Sequence, residues 1–402
     1  MKKIITNIAC LLVAMALFFV FAPHEANAAD IQAQAAIVIC FDSGDILFER
    51  DIHTPRVPAS MTKAMTAFVV FEEIEAGNLT LDTLVPISAN ASRIAGDTTM
   101  QGAPLALTAG SYHTVDMLLH LALLPSSNGA CVALAEFIAG TEAAFAQRMN
   151  ESAAAIGMFS QFTNAHGAIA HYTNAYSVAL LVREFITRYP DILRITGAQH
   201  VIFEGQRRNN TNQLLTVRPY AGADGFRTGT TREAGWCLAS TAYRDGRRII
   251  VVVMNAPNND RRYGDSITLL DYGFRELARR DEALRRISVP IEFAGEELAF
   301  TAVPRIINGR AIAPARELFE ALGVYSYEET ADSIEVITLD GRQVYMRIGE
   351  EVMTIGGIAY SLDVAPQVIS GVIFVPVRAA AYDVLGLGVS WEDGRVVIFT
   401  QN

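Results

Sequence analysis

The sequence predicts an α+β fold: a mainly antiparallel sheet with a helical region inserted between its strands. Three observations predict it. Two short apolar strands joined by a polar turn come first, helical spacing dominates residues 114–185, and two further strands and a helix close the unit near residue 280. Strands, then many helices, then strands is the order of an α+β domain, not of alternating βα units.

Each element has a local reason. Ala35-Ala36-Ile37-Val38-Ile39-Cys40 is an apolar run; Asp42-Ser43-Gly44-Asp45 turns it into Ile46-Leu47-Phe48-Glu49. That pattern is a hairpin with a tight polar turn. Residues 60–76 carry apolar side chains at helical spacing and stop at Gly77-Asn78, a helix-ending pair. The helical stretch 114–185 is interrupted around Pro125 and around residues 164–167. Residues 235–242 and 248–254 read as strands joined through Arg244-Asp245-Gly246-Arg247, and residues 267–280 as a closing helix.

Composition shifts at Arg285-Arg286, and an internal repeat follows. Val303-Pro304-Arg305-Ile306-Ile307-Asn308-Gly309-Arg310-Ala311-Ile312-Ala313-Pro314-Ala315-Arg316 returns 62 residues later as Ala365-Pro366-Gln367-Val368-Ile369-Ser370-Gly371-Val372-Ile373-Phe374-Val375-Pro376-Val377-Arg378. Each copy continues through a helical segment to a strand with an aromatic-acidic pair, Tyr327-Glu328 or Trp391-Glu392. The period exceeds that of common solenoids, so this is a small duplicated α+β unit. The expected domains are 29–284 and 285–402.

Residues 1–28 have the form of a secretory signal. Lys2 and Lys3 precede an apolar run, and Ala26-Asn27-Ala28 supplies a small-x-small cleavage site. The expected location is extracytoplasmic. Cleavage removes two lysines and Glu25, taking the net charge from −11 to −12. Such acidity argues against nucleic acid as a partner. Cys40, Cys131 and Cys237 remain; their odd number and spacing suit buried free thiols, not a metal site or a disulfide framework.

The chemistry starts from lysine usage. Beyond the signal the chain keeps one lysine, Lys63 in Pro58-Ala59-Ser60-Met61-Thr62-Lys63; the other 29 basic residues are arginine. Arginine stays charged, whereas a buried lysine can lose its proton and act as a base. On a helix, positions i and i+3 share a face, so Lys63 is placed to deprotonate the Ser60 hydroxyl. The bland alternative is a chance Ser-x-x-Lys. Three other stretches are candidates. Ser126 and Asn128 lie on an interhelical turn, Pro125-Ser126-Ser127-Asn128-Gly129-Ala130-Cys131, where helix capping is the ordinary role. Asp224-Gly225-Phe226-Arg227-Thr228-Gly229-Thr230 combines a cation and hydroxyls at an edge strand, suited to an extended peptide and its carboxylate, or is a glycine-rich turn. Asn259-Asp260-Arg261-Arg262-Tyr263-Gly264 reads as a loop whose arginines are surface charge or ligands.

Together, Ser60-Met61-Thr62-Lys63, Ser126-Ser127-Asn128 and Arg227-Thr228-Gly229 resemble the three ordered motifs of the serine D-alanyl-D-alanine carboxypeptidases, the low-molecular-mass penicillin-binding proteins. Asn164-Ala165-His166-Gly167 and Asp224-Gly225-Phe226 also match, and the resemblance runs from about residue 33 to 280. It implies a penicillin-binding protein/β-lactamase-like transpeptidase fold. It also implies removal of the terminal D-alanine from peptidoglycan stem peptides, with β-lactams as inhibitors and no cofactor. In that scheme Ser60 is the nucleophile, Lys63 its base and Ser126 a proton relay. Asn128, Arg227, Thr228, Gly229, Thr230 and Arg262 bind substrate, and the backbone N–H groups of Ser60 and Thr230 form the oxyanion hole. The family usually has lysine where this chain has Arg227. A cation for a carboxylate survives that exchange; a base at Lys63 would not.

Two other functions compete. A serine β-lactamase needs an added carboxylate, typically in Glu-x-x-Leu-Asn, and the sequence has none. A catalytically weak wall-binding or scaffolding protein would fit Arg227 and the appended repeat. That repeat resembles the copper amine oxidase N-terminal-like domain of secreted and wall-associated bacterial proteins, through Asn308-Gly309-Arg310, Pro314-Ala315-Arg316, Val375-Pro376-Val377-Arg378 and Ser390-Trp391-Glu392. Despite that name, the repeat supplies no copper ligands, so no metal is expected here, and retention on the cell wall is the expected role.

Overall fold

The computed structural model describes residues 30–100 and 105–401; the segment read as a secretory signal lies outside the described residues. Two compact units divide between Glu276 and Leu277.

In the first unit, β1 (Ala35–Cys40) and β2 (Ile46–Arg50) form the expected hairpin. A 3₁₀ turn, Ala59–Met61, leads into α1 (Thr62–Glu75). The next residues form β3 (Leu84–Pro86), α2 (Ala89–Gly96) and β4 (Tyr112–Thr114). The helical stretch resolves into α3 (Val115–Leu123), α4 (Asn128–Ala139), α5 (Glu142–Ala155) and α6 (Ala175–Arg188). After α7 (Ile192–Thr196) come a short hairpin, β5 (His200–Phe203) and β6 (Gln206–Asn209). The unit returns to the main sheet with β7 (Ala223–Thr231), β8 (Gly235–Arg244) and β9 (Arg247–Ala256), and α8 (Asn259–Ile287) follows.

The sheet has the order β2-β1-β9-β8-β7, antiparallel throughout. Strand β1 is buried along its whole length. Both its faces are covered, which is why it reads as a continuous apolar run instead of alternating. Helix α6 packs on β1 and β9. Gly273 of α8 lies so close to Val38 and Ile249 that a Cβ there would meet them at 2.9 and 3.0 Å. The β8–β9 turn has Asp245 and Gly246 at φ 50° and 77°, the paired left-handed geometry of a tight hairpin.

Two expectations need correction. Ser60 sits in the 3₁₀ turn and not in the helix, although i and i+3 still meet there. The stretch read as a loop at 259–264 is the start of α8. Asn258 caps it by accepting the Arg261 N–H at 2.8 Å, and the capping asparagine outweighs the breaker signal of Gly264.

The second unit contains the duplication. The first copy gives β12 (Arg305–Ile307), β13 (Arg310–Pro314), α9 (Ala315–Leu322) and β14 (Ser326–Glu329), after the short strands β10 (Ile291–Phe293) and β11 (Glu296–Glu297). A meander continues from β14 through β15 (Ser333–Ile337), β16 (Gln343–Arg347), β17 (Val352–Ile355) and β18 (Ile358–Ser361). The second copy gives β19 (Gln367–Ile369), β20 (Val372–Pro376), a helical turn Ala379–Val384 and β21 (Gly388–Glu392), before β22 (Arg395–Phe399). The two hairpins pair in one sheet, β12-β13-β20-β19. Ala313 faces Val375, its own counterpart 62 residues on, so the copies meet about a local twofold axis.

Candidate active site

Ser60 is presented by a constrained turn. Ala59 has φ 49°, a conformation costly for alanine, and the Thr62 hydroxyl donates to its carbonyl at 2.7 Å. Edge strand β7 passes against this turn. A Cβ on Gly229 would lie 2.4 Å from the Pro58 carbonyl, so the glycine of Arg227-Thr228-Gly229 is what lets the strand approach.

Lys63, in the first turn of α1, is fully buried. Its Nζ lies 3.0 Å from Ser60 Oγ, 2.9 Å from Asn128 Oδ1 and 2.7 Å from the His166 carbonyl. Burial, reinforced by the charge of Arg227, brings its pKa down to about 7. A neutral amine has two N–H donors and one lone pair. Asn128 Oδ1 and the His166 carbonyl can only accept, so they take both donors. The lone pair is left for the Ser60 hydroxyl proton.

Ser126 and Asn128 flank a capping residue. Ser127, between them, caps α4 by accepting the Ala130 N–H, so the capping role falls on neither candidate. Ser126 takes φ 78° and its Oγ donates to Ser60 Oγ at 3.2 Å. Gly129 packs against α2, where a Cβ would lie 2.4 Å from that of Ala95.

The Lys63-accepting carbonyl belongs to a loop held from several sides. Asn164 Oδ1 accepts the N–H groups of His166 and Gly167, at 3.3 and 2.7 Å. Its amide nitrogen meets His171 Nδ1 at 3.2 Å, which puts the imidazole proton on Nε2, 2.7 Å from Thr62 Oγ1. Burial depresses the pKa of His166 to about 3 and of His171 to about 4, so both are neutral in neutral solution. Glu142 supports the loop from behind, accepting the Ala165 N–H at 3.0 Å.

Strand β7 and the first turn of α8 carry the remaining candidates. Arg227 is buried; its Nη1 donates to the Leu123 carbonyl at 2.9 Å and the Thr211 hydroxyl at 2.8 Å. Its Nε and Nη2 have no hydrogen-bond partner among the described residues. Burial lowers its pKa to about 10, which leaves it charged in neutral solution. Thr228 Oγ1 meets the same Thr211 hydroxyl at 2.8 Å. Arg262 reaches Thr230 Oγ1 at 3.0 Å and lies over the rings of Trp236 and Tyr263. An open cleft of about 630 Å³ beside it is lined by Thr211, Gln213, Trp236 and Arg262.

Thr211 escaped the sequence reading. Its only signal is the polar run Asn209-Asn210-Thr211-Asn212, in which Asn210 and Asn212 are buried. It acts as a positioning residue for Arg227 and Thr228. Thr211→Val keeps the shape and removes the shared hydroxyl. The rate of covalent penicillin labelling should fall about tenfold or more, because the hydroxyl accepts from both Arg227 and Thr228, and the melting temperature should drop by only a few degrees as those buried donors lose an acceptor. An unchanged labelling rate would show that Thr211 positions nothing.

Among the described residues no group of three His, Cys, Asp or Glu side chains is placed to hold a metal. The second unit, residues 277–402, contains neither histidine nor cysteine, so it offers no imidazole or thiolate to a copper ion.

Residues 22–258 match the D-alanyl-D-alanine carboxypeptidase family, and residues 292–400 match the copper amine oxidase N-terminal domain family. The chain is 30 % identical to D-alanyl-D-alanine carboxypeptidase DacF of Bacillus subtilis, over 64 % of this chain and 67 % of that one. It is 34 % identical to DacA of Escherichia coli, over 67 % of this chain and 66 % of the relative. It thus spans about two thirds of the length of both. Penicillin-binding protein D2 of Listeria monocytogenes, solved with ampicillin bound, superposes with a TM-score of 0.52 at 29 % identity, over 61 % of this chain and 98 % of that one. The match over residues 22–258 contains Ser60, Lys63, Ser126, Asn128 and the Arg227-Thr228-Gly229 strand, and on that span the chain belongs to the D-alanyl-D-alanine carboxypeptidase family.

Proposed function

We propose that this chain is a penicillin-binding serine carboxypeptidase that removes the terminal D-alanine of peptidoglycan stem peptides. One observation carries the reading: Nζ of the fully buried Lys63 lies 3.0 Å from Ser60 Oγ, with Asn128 Oδ1 and the His166 carbonyl placed to accept its N–H groups, so that the neutral amine has its lone pair free for Ser60. Ser60 Oγ attacks the carbonyl between the two terminal D-alanines, and Lys63 takes its proton. Ser126 passes a proton to the leaving amine. The N–H groups of Ser60 and Thr230 hold the oxyanion. The peptide lies along the open edge of β7, and its carboxylate meets Thr228, Thr230 and Arg262. Buried Arg227 supplies positive charge from behind and helps keep Lys63 neutral. Water then releases the acyl-enzyme; a β-lactam acylates the same serine and leaves slowly.

The charged start, apolar run and small-x-small site of residues 1–28 support an extracytoplasmic location, and the repeat unit supports retention on the wall. Labelled penicillin tests the catalytic reading. The intact protein should be labelled and release D-alanine from a stem pentapeptide, and Ser60→Ala should do neither. Absence of both from the intact protein would leave only a wall-binding role.

A further inference from the structure

The second unit holds a cavity of about 290 Å³ that takes residues from both copies of the repeat. Arg310 comes from the first copy. Arg378, Asp383, Ser390 and Trp391 come from the second, and Asp363 from the segment just before it. Arg310 Nε donates to Asp363 Oδ2 at 2.7 Å, and Arg378 Nη1 lies 3.7 Å from the same oxygen. The Trp391 side of the cavity is open: the residue is 56 % exposed, and among the described residues no ring or guanidinium lies over its indole.

The first copy shows what a closed version of this site looks like. Arg316, the counterpart of Arg378, lies 4.8 Å above the ring of Tyr327, the counterpart of Trp391. The Tyr327 hydroxyl donates to Glu329 at 2.6 Å. That copy covers its aromatic face with its own arginine and satisfies the polar tip internally. In the second copy the arginine turns away to Asp363 and the Tyr382 ring, and the indole is left bare.

A bare indole beside guanidinium, carboxylate and hydroxyl groups suits a ligand with one apolar face and a polar rim. A pyranose ring is such a ligand: its C–H face stacks on the indole and its hydroxyl or acetamido groups reach the rim. Two arginines balanced by two aspartates give no excess positive charge, which disfavours a polyphosphate. At 290 Å³ the cavity is at the small end of ligand sites, the size of a sugar unit and not of a folded peptide.

We propose that this cavity binds a pyranose of an amino-sugar glycan, and that the glycan is the wall strand that carries the stem peptides. The choice of source rests on the catalytic reading above; the geometry of the cavity does not. The test uses the full chain and glycan strands stripped of stem peptides and of anionic polymers. The protein should sediment with them, and Trp391→Ala should lower the bound fraction about tenfold or more. Trp391→Phe should retain most binding, which separates a lost platform from a misfolded unit. Penicillin labelling of Ser60, followed in parallel, reports on the catalytic reading alone. Sedimentation without labelling would sink that reading and leave the glycan site standing. Failure of the parent to sediment, or equal sedimentation of Trp391→Ala, would overturn the proposal. So would binding that needs phosphate polymers and collapses with added salt.

Discussion

Lys63→Arg should lower the acylation rate about a thousandfold, within the range that a positioned general base contributes. Arginine preserves approximate length, but it holds its proton throughout the pH range of the assay. It has no lone pair to offer Ser60. The pH dependence gives a second readout. Only the deprotonated amine works, and burial sets its pKa at about 7. The native rate of penicillin labelling should rise as pH passes upward through about 7 and fall about tenfold per unit below it. The residual rate of Lys63→Arg should show no such step. Stopped-flow acylation between pH 5 and 9 reads both, and full activity in Lys63→Arg would remove Lys63 from the base role.

Gly167→Ala should damage fold and chemistry together. Gly167 has φ +78°, and a Cβ there would lie 2.0 Å from the Ala59 carbonyl and 2.6 Å from Thr62 Oγ1. Backbone cannot yield as the tip of a long side chain can. Overpacking costs about 1–3 kcal/mol and a left-handed alanine about 1–2 more. For a domain of this size the melting temperature should drop by roughly 10 °C. The displaced turn carries Ser60, and the adjacent carbonyl fixes Lys63, so labelling should slow as well. Thermal melts and labelling on the same preparation check this; native values for both would show that the loop relaxes freely.

The site was legible where function is written in side-chain type. Ser60, Lys63, Ser126 and Asn128 each advertise chemistry, and local spacing places the first pair together. What stayed hidden depends on distant contacts or on backbone. The His166 carbonyl is a Lys63 partner that any residue type would supply, so nothing in the sequence marks it. Thr211 acquires its role from strand β7, a separate part of the chain. Arg262 was misplaced because a charge run with a glycine looks like a loop until Asn258 is seen to cap it. In the sheet, the apolar runs of β1, β8 and β9 were plain. The short β3–β4 and β5–β6 pairs carry too few residues to show a period.

The burial of Lys63 has a practical side. Among residues 30–402 it is the sole side-chain amine, and it is fully enclosed. Amine-directed acylating reagents, aldehyde fixatives and activated resins therefore find no lysine handle on the folded surface of this span. An adduct at Lys63 would record a molecule that had opened. Counting such adducts over time would measure how often the catalytic unit unfolds, with the catalytic residue itself as the clock.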